Sequence, residues 1–381
     1  MNTLPFEIVS AIAGELDSVV DIANFRLVNH MCAAVATPIQ AQHIAVLNTA
    51  ESLEELSIFL RAHPHFARHA KHLSIYHATW PICTRDVWET HPLLLGGNDR
   101  MGVEICREHP ATDEAFGHYR HFISTEARRN PVSDAETLAR ILKLLPRVNQ
   151  LTLSHVQTWS WKRTRNAKYT RLRRKIWMSA FFRDSIGAAV SLALPVLNDF
   201  PQVHYLEIQG SLNPYDIYTE GRLQSITHIR TLHILSLEVF SGTQQAATNL
   251  LQAFPNVTEI SLKLATNGSH TAILLQDLQW PHLRFLDLRN MWSTENDIKA
   301  MLGRHCSLER VMLREMTLFS GSWRSLLEYK RACLPALYLE LGGSLHNEDT
   351  RLSIDVSAET AQQILLSNFL NDSNFPWPFQ V

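Results

Sequence analysis

The strongest constraint on the fold of this chain is an apolar pattern that recurs through its second half. Six segments carry apolar residues at positions 1, 4 and 6, and they begin at Val203, Ile229, Val257, Leu283, Leu308 and Leu334. Their starts are separated by 26, 28, 26, 25 and 26 residues. The alternating apolar positions predict a short strand with one face in the core. A sustained period of this length is typical of proteins built from stacked repeats.

Helices are predicted to fill the rest of each period. Ala246, Leu250 and Phe254 have helical spacing, and Pro255 follows directly and ends the helix. Two earlier copies of the pattern begin at Ala70 and Val148, separated by 78 residues, or about three periods. The sequence therefore predicts an α/β solenoid in which parallel strands form the inner layer.

The first 45 residues do not fit the repeat and predict three short helices instead. Ile8, Ile12 and Leu16 form an apolar stripe on the first helix. The third helix is expected to begin near Leu27 and to end before Pro38.

Composition excludes several classes of protein. The 35 basic and 37 acidic residues give a net charge of -2, which argues against a general nucleic-acid or membrane-surface binder. No apolar run is long enough to cross a bilayer, and the N-terminus lacks the basic region of a signal peptide. Five scattered cysteines predict free thiols in a reducing compartment. No phosphate-binding loop, GxSxG or HExxH motif is present, so we expect no enzymatic activity and no cofactor.

Two stretches near the N-terminus resemble an F-box. They are Leu4-Pro5-x-Glu7-Ile8 and Arg26-Leu27-Val28-Asn29. Met31-Cys32 stands where the family usually has Trp, so the end of the motif departs from the pattern. The repeats resemble leucine-rich repeats. The whole arrangement is similar to F-box proteins of filamentous fungi with degenerate leucine-rich repeats, which implies a leucine-rich-repeat horseshoe preceded by a small three-helix unit.

The resemblance implies an F-box at 1–45, a solenoid at 46–343 and a C-terminal cap at 344–381. An irregular insertion is expected at 78–132 and a basic insertion at 158–183. In the latter, Tyr169, Leu172 and Ile176 have helical spacing, which favours a solvated helix or loop with one buried side over a nuclear localisation signal or nucleic-acid patch.

Cys106, His109, His118 and His121 match no common zinc module, and no metal site is expected.

The resemblance also implies a function. F-box proteins bind a Skp-family adaptor, which links them to a cullin-RING ubiquitin ligase, while their repeats select a target protein. The adaptor-binding residues would be Leu4, Pro5, Ile8, Ile12, Leu16, Ile22, Leu27 and Val28. A competing interpretation is that some of these residues simply cap the first repeat. The alternative function is an interaction scaffold that acts with the adaptor but without ubiquitylation. Either role is expected in the cytoplasm or nucleus.

The target would bind the outward strand positions 3, 5 and 7 of the repeats. The candidates are Tyr205, Glu207, His233, Lys263, Phe285, Asp287, Arg289, Arg310, Arg314 and Tyr338. Lys263, Arg289 and Arg314, with Glu340 beyond them, share position 7 and predict a basic row suited to an acidic or phosphorylated segment. The alternative is a neutralised surface, because Asp287 lies two residues before Arg289.

Overall fold

The computed structural model describes residues 4–16, 19–94, 112–156, 171–172, 175–176, 178, 185–217, 223–239, 242–265, 278–347, 352–356, 361–371 and 375–378. The chain forms two compact units. The first comprises 1–184 with 192–196, and the second comprises 185–191 with 197–381. Both units are α/β, with parallel strands and helices alternating along the chain. No described helix has the length and apolar character needed to cross a lipid bilayer.

The first unit contains three strands and eight helices within its described residues. The strands are β1 His43–Leu47, β2 His72–His77 and β3 Gln150–His155. The helices are α1 Phe6–Gly14, α2 Val19–Arg26, α3 His30–Ala41, α4 Ala50–Ala62, α5 Pro64–Ala67, α6 Arg85–Leu94, α7 Asp113–Ala127 and α8 Pro131–Leu144. Helix α9, Gly187–Leu197, contributes residues to both units.

Three N-terminal helices are present, as the sequence predicts. The side chain of Asn29 accepts the backbone N–H of Cys32 at 2.9 Å and caps α3. The prediction that this helix ends before Pro38 is wrong, because the helix continues to Ala41. Val35 and Ala41 are buried on either side of the proline, so packing offsets the loss of one backbone hydrogen bond.

Strands β1, β2 and β3 pair in parallel. Leu73 and Ile75 lie opposite Leu151 and Leu153, so the two early copies of the apolar pattern are adjacent in the sheet. Between β2 and β3 the described residues contain no further strand. They form the helices α6, α7 and α8 instead. Strand β1 adds a copy that the sequence prediction missed at the boundary between the F-box and the solenoid.

The segment 78–132, predicted to be irregular, contains α6 and α7. Trp88, Tyr119 and Phe122 form a small core there. The indole N–H of Trp88 donates to the carbonyl of Ile176 at 3.0 Å. Burial of these large aromatic side chains stabilises α6 and α7. The sequence prediction missed both helices because it took the proline and glycine pairs of this segment as helix breakers.

The second unit holds the remaining described elements. The strands are β4 Tyr205–Gln209, β5 Thr231–Leu237, β6 Glu259–Leu264, β7 Phe285–Arg289, β8 Trp292–Thr294, β9 Arg310–Arg314, β10 Thr317–Ser320, β11 Tyr338–Asn347 and β12 Leu352–Val356. The helices are α10 Gln244–Gln252, α11 Glu295–Arg304, α12 Trp323–Cys333 and α13 Ala361–Asn371, with a 3-10 turn at Pro214–Asp216. The main sheet has the order β4-β5-β6-β7-β9-β11, all parallel. Strands β8 and β10 pair beside the second half of β11, and β12 pairs antiparallel with that half.

The repeat register is confirmed for five of the six copies, from β4 to β9. In the sixth, Leu339 and Leu341 lie opposite Val311 and Leu313, two residues later than predicted. Leu337, Leu339 and Leu341 alternate and are all buried, so the sequence permits two registers. The turn that follows α12 delays the strand until Tyr338 and selects the later one. Tyr338 therefore occupies position 3, Glu340 position 5 and Gly342 position 7.

Candidate protein-binding surfaces

Helix α1 divides its apolar residues between two sides. Val9 and Ala13 are buried against Cys32 and Val35 of α3. Leu4, Ile8 and Ile12 recur every four residues and are 36%, 48% and 39% exposed. Because residues four apart lie on one helix face, Ile8 and Ile12 share one side of α1. Leu4 lies two residues before the helix begins and is exposed as well. We call these three residues the exposed stripe.

Further apolar side chains within the first 45 residues are also exposed. Leu27 and Val28, in the turn between α2 and α3, are 84% and 52% exposed. Phe6 is 53% exposed and was missed by the sequence prediction, although its place in the first turn of an apolar helix is a usable signal. We call Leu4, Phe6, Ile8, Ile12, Leu27 and Val28 the N-terminal apolar surface.

The other predicted adaptor contacts differ in accessibility. Pro5 is exposed as the residue preceding α1, and Leu16 is partly buried. Ile22 is only 7% exposed, so its side chain is part of the core rather than of an accessible surface.

The predicted basic row is aligned in the second unit. Lys263 lies opposite Arg289 on the next strand, and Arg289 lies opposite Arg314 on the strand after that. Lys263 is exposed, whereas the two arginines are partly buried. Glu340 does not continue this row, because the shifted register puts Gly342 there.

Both arginines of the row are paired with acids of the same face. Arg289 donates from Nε to Asp287 Oδ2 at 2.9 Å, and Asp287 is almost completely buried. This hydrogen bond to Asp287 raises the pKa of Arg289. Arg314 donates to Glu340 at 3.1 Å. The pairing of Asp287 with Arg289 matches the neutralised-surface alternative.

Arg310 lies close to two aromatic rings and is exposed. Its guanidinium lies 5.7 Å from the ring centroid of Phe285 and 5.4 Å from that of Tyr338. It also donates to Glu340 at 2.8 Å, and this hydrogen bond is the main cause of its raised pKa. Gly342 leaves room for Arg314, since a Cβ there would lie 3.2 Å from Arg314 Cγ. We call Phe285, Arg310, Arg314, Tyr338 and Glu340 the aromatic–arginine cluster.

A second group of candidates lies on β4 and β5. The hydroxyl of Tyr205 and Nδ1 of His233 are 3.0 Å apart, and the two rings pack edge to face. Burial, followed by the nearby Glu207 and Glu259, raises the pKa of Tyr205 to about 12. Tyr205 therefore stays neutral and serves as a hydrogen-bonding group.

The two remaining sequence features lie largely outside the described residues. Most of the basic segment 158–183, including Tyr169, is not described, but Leu172 and Ile176 pack against the Trp88 core. Cys106 and His109 also lie outside, while His118 and His121 belong to α7. Within the described ranges, no three His, Cys, Asp or Glu side chains are grouped as metal ligands.

Comparison with known proteins does not assign the chain to a family: no family model and no curated protein matches it.

Proposed function

We propose that this protein is the substrate-recognition subunit of an SCF-type cullin-RING ubiquitin ligase. Its first 45 residues would act as an F-box that binds a Skp-family adaptor, and its leucine-rich-repeat-like strands would bind a target protein. The observation that carries the proposal is the exposure of Leu4, Ile8 and Ile12, the very residues in which the sequence resembles the F-box opening.

The exposed stripe favours a partner over a simple internal cap. If these side chains served only to cap the chain's own repeats, they would be covered within the chain. Instead Val9 and Ala13 make the internal contacts of α1. Full burial of each large apolar side chain by a partner contributes roughly 1.5–3 kcal/mol. A Skp-family adaptor with an apolar groove would gain part of that energy from each residue of the N-terminal apolar surface, because most of these side chains are already about half buried.

The regular register of β4 to β11 supports a repeat scaffold for target recognition. On the outward face of these strands, the aromatic–arginine cluster offers exposed aromatic surface together with charged side chains. Arg310 and Arg314 share Glu340, so an acidic or phosphorylated segment must compete with an internal carboxylate. A target that contacts the Tyr338 ring and displaces Glu340 from one arginine satisfies both features.

Direct binding to a purified Skp-family adaptor tests the proposal. We expect the intact chain to form a one-to-one complex and the double variant Leu4→Ala/Pro5→Ala to bind at least tenfold more weakly. Val132→Ala is a matched control, because Val132 is an exposed apolar residue in the first turn of another helix, α8. Failure of the intact chain to bind the adaptor refutes the proposal.

Recruitment of the cullin separates the two functions. A ternary complex of chain, adaptor and cullin supports the ligase subunit. An adaptor complex that excludes the cullin supports the scaffold that acts without ubiquitylation.

A further inference from the structure

The last strand of the main sheet in the second unit, β11, has an edge that is only half covered. Its first half, Tyr338–Gly342, pairs with β9. Its second half, Gly343–Asn347, pairs with β12, while β10 pairs with the last two residues of that half. Because a strand reaches two neighbours only by using both of its edges, β10 and β12 lie on opposite edges of β11. Within the described ranges, no strand other than β9 pairs with Tyr338–Gly342.

The hydrogen bonds of β11 show which backbone groups face the open edge. The N–H of Tyr338 donates to the carbonyl of the residue before β9, and the N–H of His346 donates to the carbonyl of the residue before β10, each at 2.9 Å. The even-numbered residues of β11 therefore face β9 and β10. Because successive residues of a strand direct their backbone groups to opposite edges, Leu339 and Leu341 face the other edge, on which β12 covers only the second half.

Leu339 and Leu341 offer backbone groups rather than side chains at this edge. They are only 7% and 4% exposed, because their side chains lie in the core. No backbone hydrogen bond between described residues reaches them across the open edge. Unpaired N–H and C=O groups along a strand edge are a template for the addition of another strand.

A cavity of about 450 Å³ lies beside this open half. Residues 337–341 line it without interruption, with core-facing and outward-facing residues alternating, so it lies at the edge of the strand and not on one face. Helix α13 lines the cavity as well. From the spacings along a strand, between strands and between layers, one residue of a sheet occupies roughly 160 Å³, so the cavity has room for about three residues of an extended chain.

The surroundings of the cavity select its occupant. Because α13 lines the cavity opposite β11, the site admits a single extended segment but not the sheet edge of a second copy of this chain. The described C-terminal residues 375–378 are held elsewhere: Trp377 packs against Phe369, and the carbonyl of Phe375 accepts from Arg331 at 3.4 Å. None of these four residues lines the cavity.

We propose that β11 binds an extended segment of the target protein as an additional strand, through backbone hydrogen bonds to Leu339 and Leu341. Strand addition takes its affinity from the main chain and its specificity from alternate side chains. Tyr338, which is 56% exposed, would pack against an apolar or aromatic side chain of that segment. The inference rests on the proposed function, in which the strands of the second unit bind a target, and it specifies the conformation of that target.

A peptide that copies residues 283–290 is a suitable probe, because this segment already pairs in parallel as β7. In the chain, the N–H of Phe285 donates to the carbonyl of Thr258 at 3.0 Å, so the odd-numbered residues of β7 face the preceding strand. The same odd-numbered residues of the peptide would face β11. Its Phe would then lie beside Tyr338.

Two N-methylated forms of the peptide make a matched pair. Methyl groups on the backbone nitrogens of the residues copied from Asp287 and Arg289 remove donors that face β11. Methyl groups on those copied from Leu286 and Leu288 remove as many donors on the opposite edge. In calorimetric titration of the full chain, we expect the unmodified peptide to bind one to one. The first methylated form should bind at least tenfold more weakly than the second, which corresponds to about 1.4 kcal/mol.

Amide hydrogen exchange resolved residue by residue locates the binding. In the full chain alone, the N–H groups of Leu339 and Leu341 should exchange faster than those of Tyr338 and Glu340, which face β9. The unmodified peptide should slow exchange at Leu339 and Leu341.

Several outcomes would overturn the proposal. They are absence of peptide binding, equal binding of the two methylated forms, and no slowing at Leu339 and Leu341 when the peptide binds. Protection of these two amides in the monomeric chain alone, or only when the chain dimerises, would assign the edge to the chain itself or to a second copy. A chain that binds the adaptor but not the peptide refutes only this inference, whereas one that binds the peptide but not the adaptor refutes the ligase role and keeps the strand site.

Discussion

Replacing Arg129 with methionine should destabilise the first unit strongly. Arg129 lies between α7 and α8 and donates to both the carbonyl and the side-chain oxygen of Asn48, each at 2.8 Å. It also pairs with Glu126 at 3.0 Å and with Asp134 at 2.8 Å. The three charged side chains are only 17–18% exposed.

The expected magnitude follows from what the substitution leaves behind. Two largely buried carboxylates and the oxygens of the buried Asn48 would lose their cation. Breaking a buried ion pair by removing one partner costs about 3–5 kcal/mol. Burial raises the pKa of Glu126 even with Arg129 present, so loss of the guanidinium should raise this pKa further.

Native-state hydrogen exchange at the amides of β1, β2 and β3 measures the loss in this unit directly. Arg140→Met is the matched control, because Arg140 bonds Glu54 and Thr137 but its side chain is 52% exposed. The control should lose about 0.2–1 kcal/mol. If the two variants lose the same free energy within about 0.5 kcal/mol, the argument from burial is wrong.

Two further predictions concern protonation and backbone geometry. His43 and His72 stack with centroids 4.3 Å apart, and burial together with His43 lowers the pKa of His72 from 6.5 to about 4. Both rings therefore resist protonation in the folded chain, whereas the unfolded chain binds protons as soon as the pH falls below about 6.5. The urea concentration at the midpoint of unfolding should therefore fall as the pH drops from about 6.5 towards 4. This fall should be smaller for His72→Gln than for the unaltered chain. Gly343 has φ +67°, and a Cβ there would clash with the Glu315 carboxylate, so Gly343→Ala should cost at least about 1–2 kcal/mol. Gly117→Ala in α7, with open space around it, should instead gain about 0.5–1 kcal/mol in the same urea titration.

The sequence predicts the parallel strands well because alternating apolar residues specify both a strand and its buried face. The prediction fails where the apolar alternation fits more than one register, or where a strand lies at a boundary assigned to another kind of structure. Leu337, Leu339 and Leu341 fit two registers, and only the length of the turn after α12 decides between them. Strand β1 was missed because it crosses the predicted boundary at residue 45, with Ile44 assigned to the F-box and Val46 to the solenoid.

The candidate surfaces were predictable in composition and only partly in pairing. The sequence places Arg289 beside Asp287, and the structure contains that pair. It assigns Glu340 to the basic row, whereas the true register places it where both Arg310 and Arg314 reach it. The exposure of Leu4, Ile8 and Ile12 depends on which side of α1 packs on α3, and helical periodicity alone does not fix this.

Hydrogen-exchange mass spectrometry of the chain with and without a purified Skp-family adaptor tests the central proposal most directly. The account predicts that the adaptor protects residues 4–16 and 24–30 and leaves the strands β4 to β9 unchanged. Protection confined to the strand face, or no protection anywhere, would contradict the assignment of the N-terminal apolar surface as an adaptor-binding site.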